Sequence, residues 1–70
     1  MTPAEQIAIA GALLKLCQRN NLAVWDKLNG FRIAEKQGSR EIFIGWRKAQ
    51  MLVAGKLDVN VLLGRTKWTS

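Results

Sequence analysis

The side chains of this chain that are best suited to chemistry are basic, and many of them lie between residues 27 and 48. Eleven Lys and Arg oppose five Asp and Glu, so the formal net charge is +6 at pH 7. Such a surplus favours anionic partners, either nucleic acid or an acidic protein surface. The basic residues that we expect to contact nucleic acid are Lys27, Arg32, Lys36, Arg40, Arg47 and Lys48.

Residues suited to catalysis are scarce. The chain has no histidine and one cysteine, which excludes an imidazole base and a Cys/His zinc site. That cysteine, Cys17, falls on an apolar helix face, where a thiol is inert. No glycine pattern resembles a phosphate-binding loop. We therefore predict that the protein is not an enzyme and uses no cofactor, metal or small-molecule substrate.

A β-hairpin is the element that must position most of these basic residues. With its turn centred on Gln37 and Gly38, the apolar side chains of the two strands meet on one face. A slip of one residue would turn Arg32 towards the core, so the register is well specified. The predicted pairs are Phe31 with Ile44, Ile33 with Ile42, Glu35 with Arg40, Arg32 with Phe43, and Ala34 with Glu41.

Helices are predicted on both sides of this hairpin. Thr2, Pro3 and Glu5 form an N-terminal capping signature, and Asn20–Asn21 provides the end of the first helix. A second helix is predicted over residues 46–54, with Gly55 as its C-terminal stop. The apolar face of the first helix is wider than packing on one sheet requires. We therefore expect a homodimer, and its predicted interface is Ile7, Ala10, Leu14 and Cys17.

Two segments have more than one interpretation. Residues 22–29 fit a short helix or an outer strand turning at Asn29–Gly30, and the helix is preferred because it places polar side chains outside. Residues 57–61 alternate as a short strand does, but Asp58 could instead cap a helical turn through Leu63. The basic tail, residues 64–70, is expected to be flexible, with Trp68 either docked or exposed.

These elements predict an α+β fold in a single domain spanning residues 1–70. A long N-terminal helix and a second helix pack on a small antiparallel sheet, and a winged-helix-like arrangement is one version of this fold. Seventy residues bury only a thin core. The predicted core is Ile9, Leu13, Leu16, Trp25, Ile33, Ile42, Ile44, Trp46 and Val53.

The run LAVWDKLNGFRIAEKQGSREIFIGWRKAQ resembles the second half of a small winged-helix excisionase. The resemblance implies that residues 24–29 form a recognition helix and residues 36–40 the tip of the wing. The long first helix is not part of that pattern. The order helix, hairpin, helix is also similar to small phage head-completion proteins.

The leading functional hypothesis is a non-catalytic nucleic-acid-binding protein, like a small phage or plasmid regulator. Its alternatives are an inhibitor or adaptor that docks an acidic surface of a host protein, and a small phage structural protein. No apolar run approaches the roughly 20 residues that a bilayer requires. A lone buried cysteine suits a reducing compartment. We therefore expect a cytoplasmic protein, in a bacterial or phage-infected cell, that does not bind a membrane.

Overall fold

A computed structural model describes residues 2–64 of the chain. These residues form a long helix, a three-stranded antiparallel sheet and two shorter helices, so the predicted α+β fold is confirmed. None of the helices between residues 2 and 64 is long and apolar enough to cross a membrane. In chain order the elements are α1 (Pro3–Arg19), β1 (Leu22–Lys27), β2 (Gly30–Glu35), β3 (Glu41–Gly45), α2 (Trp46–Val53) and α3 (Val59–Leu62).

Both ends of α1 are those that the sequence predicts. The Glu5 amide donates to the Thr2 hydroxyl at 3.2 Å, and the Thr2 amide donates to the Glu5 carboxylate at 3.2 Å. This capping box satisfies backbone amides that have no partner within the helix. At the other end Asn20 is the C-cap, and Asn21 adopts a left-handed conformation with φ of 58°.

The sheet has the order β1-β2-β3, and its β2–β3 hairpin has the predicted register. Phe31 lies opposite Ile44, and Ile33 lies opposite Ile42. Beyond the last ladder pair, the Glu35 amide donates to the Arg40 carbonyl at 3.0 Å. Local pattern alone therefore fixed this hairpin, because only one register turns its apolar side chains to a common face.

The preferred helix over residues 22–29 is wrong, and the alternative of an outer strand is correct. Leu22–Lys27 forms β1 and pairs antiparallel with β2, and Leu28 and Asn29 make the turn. Pairing with β1 gives hydrogen-bond partners to the backbone groups along one edge of β2. A helix over the same residues would leave those groups without partners. The winged-helix resemblance fails at the same point, because its recognition helix coincides with this strand and turn.

The second helix ends as predicted, and of the two interpretations of residues 57–63 the helical turn capped by Asp58 is correct and the strand is wrong. Ala54 is the C-cap of α2, and Gly55 follows with φ of +79°, a conformation that favours glycine. The Asp58 carboxylate accepts a 2.8 Å hydrogen bond from the Asn60 amide and caps α3. The helical turn places Val59 and Leu63 in the core. Most of the basic tail, from residue 65 onward, lies outside the described residues.

The core lies between one face of the sheet and the helices α1 and α2, which contact each other and the strands. Phe31 meets Trp46 edge-on, with ring centroids 4.8 Å apart. Of the predicted core, Leu16, Ile42, Trp46 and Val53 are partly buried, and Trp25 is a wrong prediction because it is exposed. The buried residues are Ile9, Leu13, Cys17, Leu22, Phe31, Ile33, Ile44, Ala49, Leu52, Val59 and Leu63.

Candidate nucleic-acid interface

One face of the sheet packs on the helices, and the other has no described helix on it. Successive side chains of a strand point to opposite faces, so the buried Phe31 and Ile33 place Arg32 on the outer side. None of the outer side chains belongs to the buried hydrophobic core. We call this surface the open face, and its side chains are Ala23, Trp25, Lys27, Arg32, Ala34, Glu41 and Phe43.

The centre of the open face is a row of three side chains, one from each strand. Arg32 on β2 lies opposite Trp25 on β1 and opposite Phe43 on β3. The Arg32 guanidinium carbon lies 4.9 Å from the centroid of the Trp25 ring, within the range of a cation–π contact. Trp25 is 44% exposed and Phe43 is 58% exposed. The row thus presents two aromatic rings to solvent on either side of a guanidinium.

An ion pair orients that guanidinium. The Arg32 Nε donates to the Glu41 carboxylate, with the nitrogen and oxygen 2.6 Å apart. This hydrogen bond, together with the charge of Arg32, lowers the pKa of Glu41 below its ordinary value. The same hydrogen bond raises the pKa of Arg32, so both groups remain charged at neutral pH. The guanidinium of Arg32 therefore contacts both Glu41 and Trp25.

The structure divides the six predicted contact residues between the open face and the ends of the sheet. Arg32 lies at the centre of the face, and Lys27 lies at the end formed by the β1–β2 turn. Arg47 and Lys48 are exposed at the start of α2, which follows Gly45 at that same end. Lys36 lies beyond the opposite end of β2, a six-residue strand that is roughly 17 Å long. The predicted contact residues thus lie at the centre and at both ends of the sheet.

Arg40 is exposed, but its guanidinium also makes hydrogen bonds within the fold. Its Nη1 donates to the carbonyl of Leu63 at 3.3 Å and to the carbonyl of Gly64 at 2.6 Å. These carbonyls lie at the C-terminal end of α3, where a cation is favourable. The contacts connect the start of β3 to the last helical turn. Arg40 therefore has a structural role at this position, and the phosphate contact that the sequence predicts for it stays a prediction.

The interface predicted on α1 is partly exposed and partly core. Ile7 is 74% exposed and Leu14 is 47% exposed. Together with Ala10 they line a groove of about 410 Å³ between α1 and β1. Cys17 has no exposed surface, so its place in a contact with a second chain is corrected to the core. Burial also raises the pKa of its thiol, which disfavours the nucleophilic thiolate.

The two aromatic residues that distinguish the open face are not among the predicted contact residues. The sequence pattern predicts Trp25 in the core, and it predicts Phe43 opposite Arg32 without a role in binding. The missed signal is the alternation in β1, where Leu22 and Val24 point inward and Trp25 does not. A strand interpretation of residues 22–27 would have paired Trp25 with Arg32 and revealed the row.

Comparison of the chain with protein-family models, with curated proteins and with solved structures finds no match.

Proposed function

We propose that the chain is a non-catalytic nucleic-acid-binding protein, of the kind that small phage or plasmid regulators exemplify, and that it binds through the open face. The observation that carries the proposal is the row Trp25–Arg32–Phe43 on a sheet surface that no described helix covers. Exposed aromatic rings beside basic side chains are the means by which sheet proteins commonly hold nucleotides.

The charge of the molecule supports the same proposal. A net charge of +6 attracts a polyanion to the protein at long range. Lys27 and Lys36, both exposed, place ammonium groups near opposite ends of the open face. A strand laid across the face would have phosphates close to each of them. Arg47 and Lys48 add positive charge at the Lys27 end.

The test compares two pairs of lysines in binding experiments over a range of salt concentrations. In the Lys27→Ala/Lys36→Ala variant we expect weaker binding of nucleic acid and a salt slope smaller by about one per true phosphate contact. The charge-matched control is Lys15→Ala/Lys56→Ala, because Lys15 lies on α1 and Lys56 on the helical side of the sheet. Equal losses in the two double variants, or no binding by the unmodified protein at low salt, would contradict the proposal.

The rival proposal is a protein-binding inhibitor or adaptor that docks an acidic surface. It shares the charge but not the requirement for the aromatic row. If binding to nucleic acid fails at low salt, the same basic side chains are the first place to look for an acidic protein partner.

A further inference from the structure

We infer that the open face binds a single nucleic-acid strand and not a duplex, with unpaired bases against Trp25 and Phe43. This inference rests on the proposed function and specifies the form of nucleic acid that the face accepts. Three features of the described residues carry it: the exposure of the rings, the charge at the centre of the face, and the shape of the surface.

The exposed rings fit bases whose own faces are uncovered. Trp25 and Phe43 lie on the two outer strands, so their positions are about 10 Å apart, twice the spacing between neighbouring strands. An aromatic side chain on a flat surface stacks on the face of a base, which a duplex hides within its own stack. Only an unpaired strand can bring base faces to both rings.

The charge at the centre of the face also suits bases better than phosphates. Glu41 is paired with Arg32, so the middle of the row carries little net charge, and the carboxylate itself repels phosphate. Lys27 and Lys36 lie towards the ends. Phosphates therefore have cations at the margins, while the centre offers rings and an ion-paired guanidinium.

The shape of the surface is unfavourable for groove binding. The major groove is about 12 Å wide and admits a helix or a two-stranded ribbon. Three strands already span about 10 Å between their outer axes before side chains are added. The segment that resembled a recognition helix is β1, and Arg40 near the hairpin tip is engaged with the carbonyls of Leu63 and Gly64.

The experiment measures the affinity of the full chain for labelled strands of ~12 nucleotides, within the range of about 4–16 that one OB-fold domain occupies. The same sequence is used as single-stranded RNA, as single-stranded DNA and as a DNA duplex, and poly-L-glutamate is the competitor. The variants are Trp25→Ala, Phe43→Ala and the ring-preserving Trp25→Phe. Leu28→Ala is the matched control, because Leu28 is 95% exposed at the turn and off the aromatic row. Thermal unfolding of each variant establishes that it is folded.

We expect at least one of the two single strands to bind more tightly than the duplex. Each ring removed should weaken that binding by about 5- to 150-fold, whereas Trp25→Phe retains most of the affinity and Leu28→Ala all of it. A duplex bound as tightly as either strand, with no effect of Trp25→Ala, overturns this inference and leaves the proposed function standing. Competition by poly-L-glutamate equal to that of the strand also overturns it. Absence of binding to all three nucleic acids overturns the proposed function itself.

Discussion

The two faces of the three-stranded sheet differ in what covers them. On the covered face, Phe31, Ile33 and Ile44 pack beneath α1 and α2 and have almost no contact with solvent. On the open face, Trp25 and Phe43 are of similar apolar character and remain about half exposed. A large apolar residue in these strands is therefore buried only when it lies on the face that the helices cover. The covered face should determine stability, and the open face should determine binding.

The largest expected effect separates neighbouring residues of β2 on opposite faces. Ile33→Ala should lower the free energy of unfolding by roughly 2–5 kcal/mol, because Ile33 is fully buried and its truncation leaves a cavity in the core. Arg32→Ala should change it little, because Arg32 points to the open face. Denaturant unfolding of the two variants measures this, and equal destabilisation would mean that the two faces are not distinct.

The next effect concerns the close approach of β2 and β3 at the end of the face. A Cβ on Gly30 would overlap the backbone carbonyl of Ile44, so Gly30→Ala should destabilise the fold by about 1–3 kcal/mol. Gly11 in α1 has no atom within 4 Å of a Cβ, so Gly11→Ala should stabilise by roughly 0.5–1 kcal/mol. Opposite shifts of the thermal midpoint are expected, and shifts of the same sign would contradict this packing.

A smaller effect on stability is expected at Arg40, and it distinguishes a structural role of this side chain from a role in binding. Arg40→Ala should cost about 1 kcal/mol of stability through its lost hydrogen bonds to Leu63 and Gly64. Lys36→Ala is the control at the same hairpin tip and should leave stability unchanged. Thermal unfolding and nucleic-acid affinity are measured for both. A loss of affinity without a loss of stability in Arg40→Ala would instead identify Arg40 as a contact residue.

Self-association stays a prediction, and its expected interface is the groove between α1 and β1, at the edge of the covered face. The groove between α1 and β1 exposes Ile7 and Leu14, which a second copy of the chain could cover. We expect sedimentation at micromolar concentration to give a mass above the 7.8 kDa of one chain. Ile7→Glu should reduce that mass, and Lys15→Glu on the same helix should not. A clean monomer for the unmodified protein would exclude the dimer.

The smallest effect is the pH dependence of the ion pair on the open face. The pKa of Glu41 is lowered in the fold, so its contribution to stability is complete above the ordinary value of 4.5. It is lost as the pH falls through the lowered pKa. Thermal midpoints measured over this acid range should fall less steeply in Glu41→Gln than in the unmodified protein. Identical slopes would mean that the Arg32–Glu41 pair does not act on stability.

Several features of the fold follow from short stretches of sequence. The capping box at Thr2 and Glu5, the end of α1 at Asn20–Asn21 and the stop at Gly55 each depend on a few neighbouring residues. The β2–β3 register is equally local, because the two strands adjoin one tight turn. Local hydrogen bonds and backbone conformations need no distant partner, which is why the sequence predicts them.

The candidate site depended on contacts that the local pattern does not contain. Residues 22–27 form a strand because β2 offers unpaired backbone groups, and that pairing is what exposes Trp25 beside Arg32.

Arg40 is positioned by the carbonyls of Leu63 and Gly64, which lie more than 20 residues further along the chain. The sequence by itself therefore determined the charge, the fold class, the first helix and the hairpin register. Only tertiary packing decided which face of the sheet the helices cover, and therefore which rings and cations reach solvent. The physical reason is that folding minimises the exposure of the apolar surface of the whole chain, which no short segment determines.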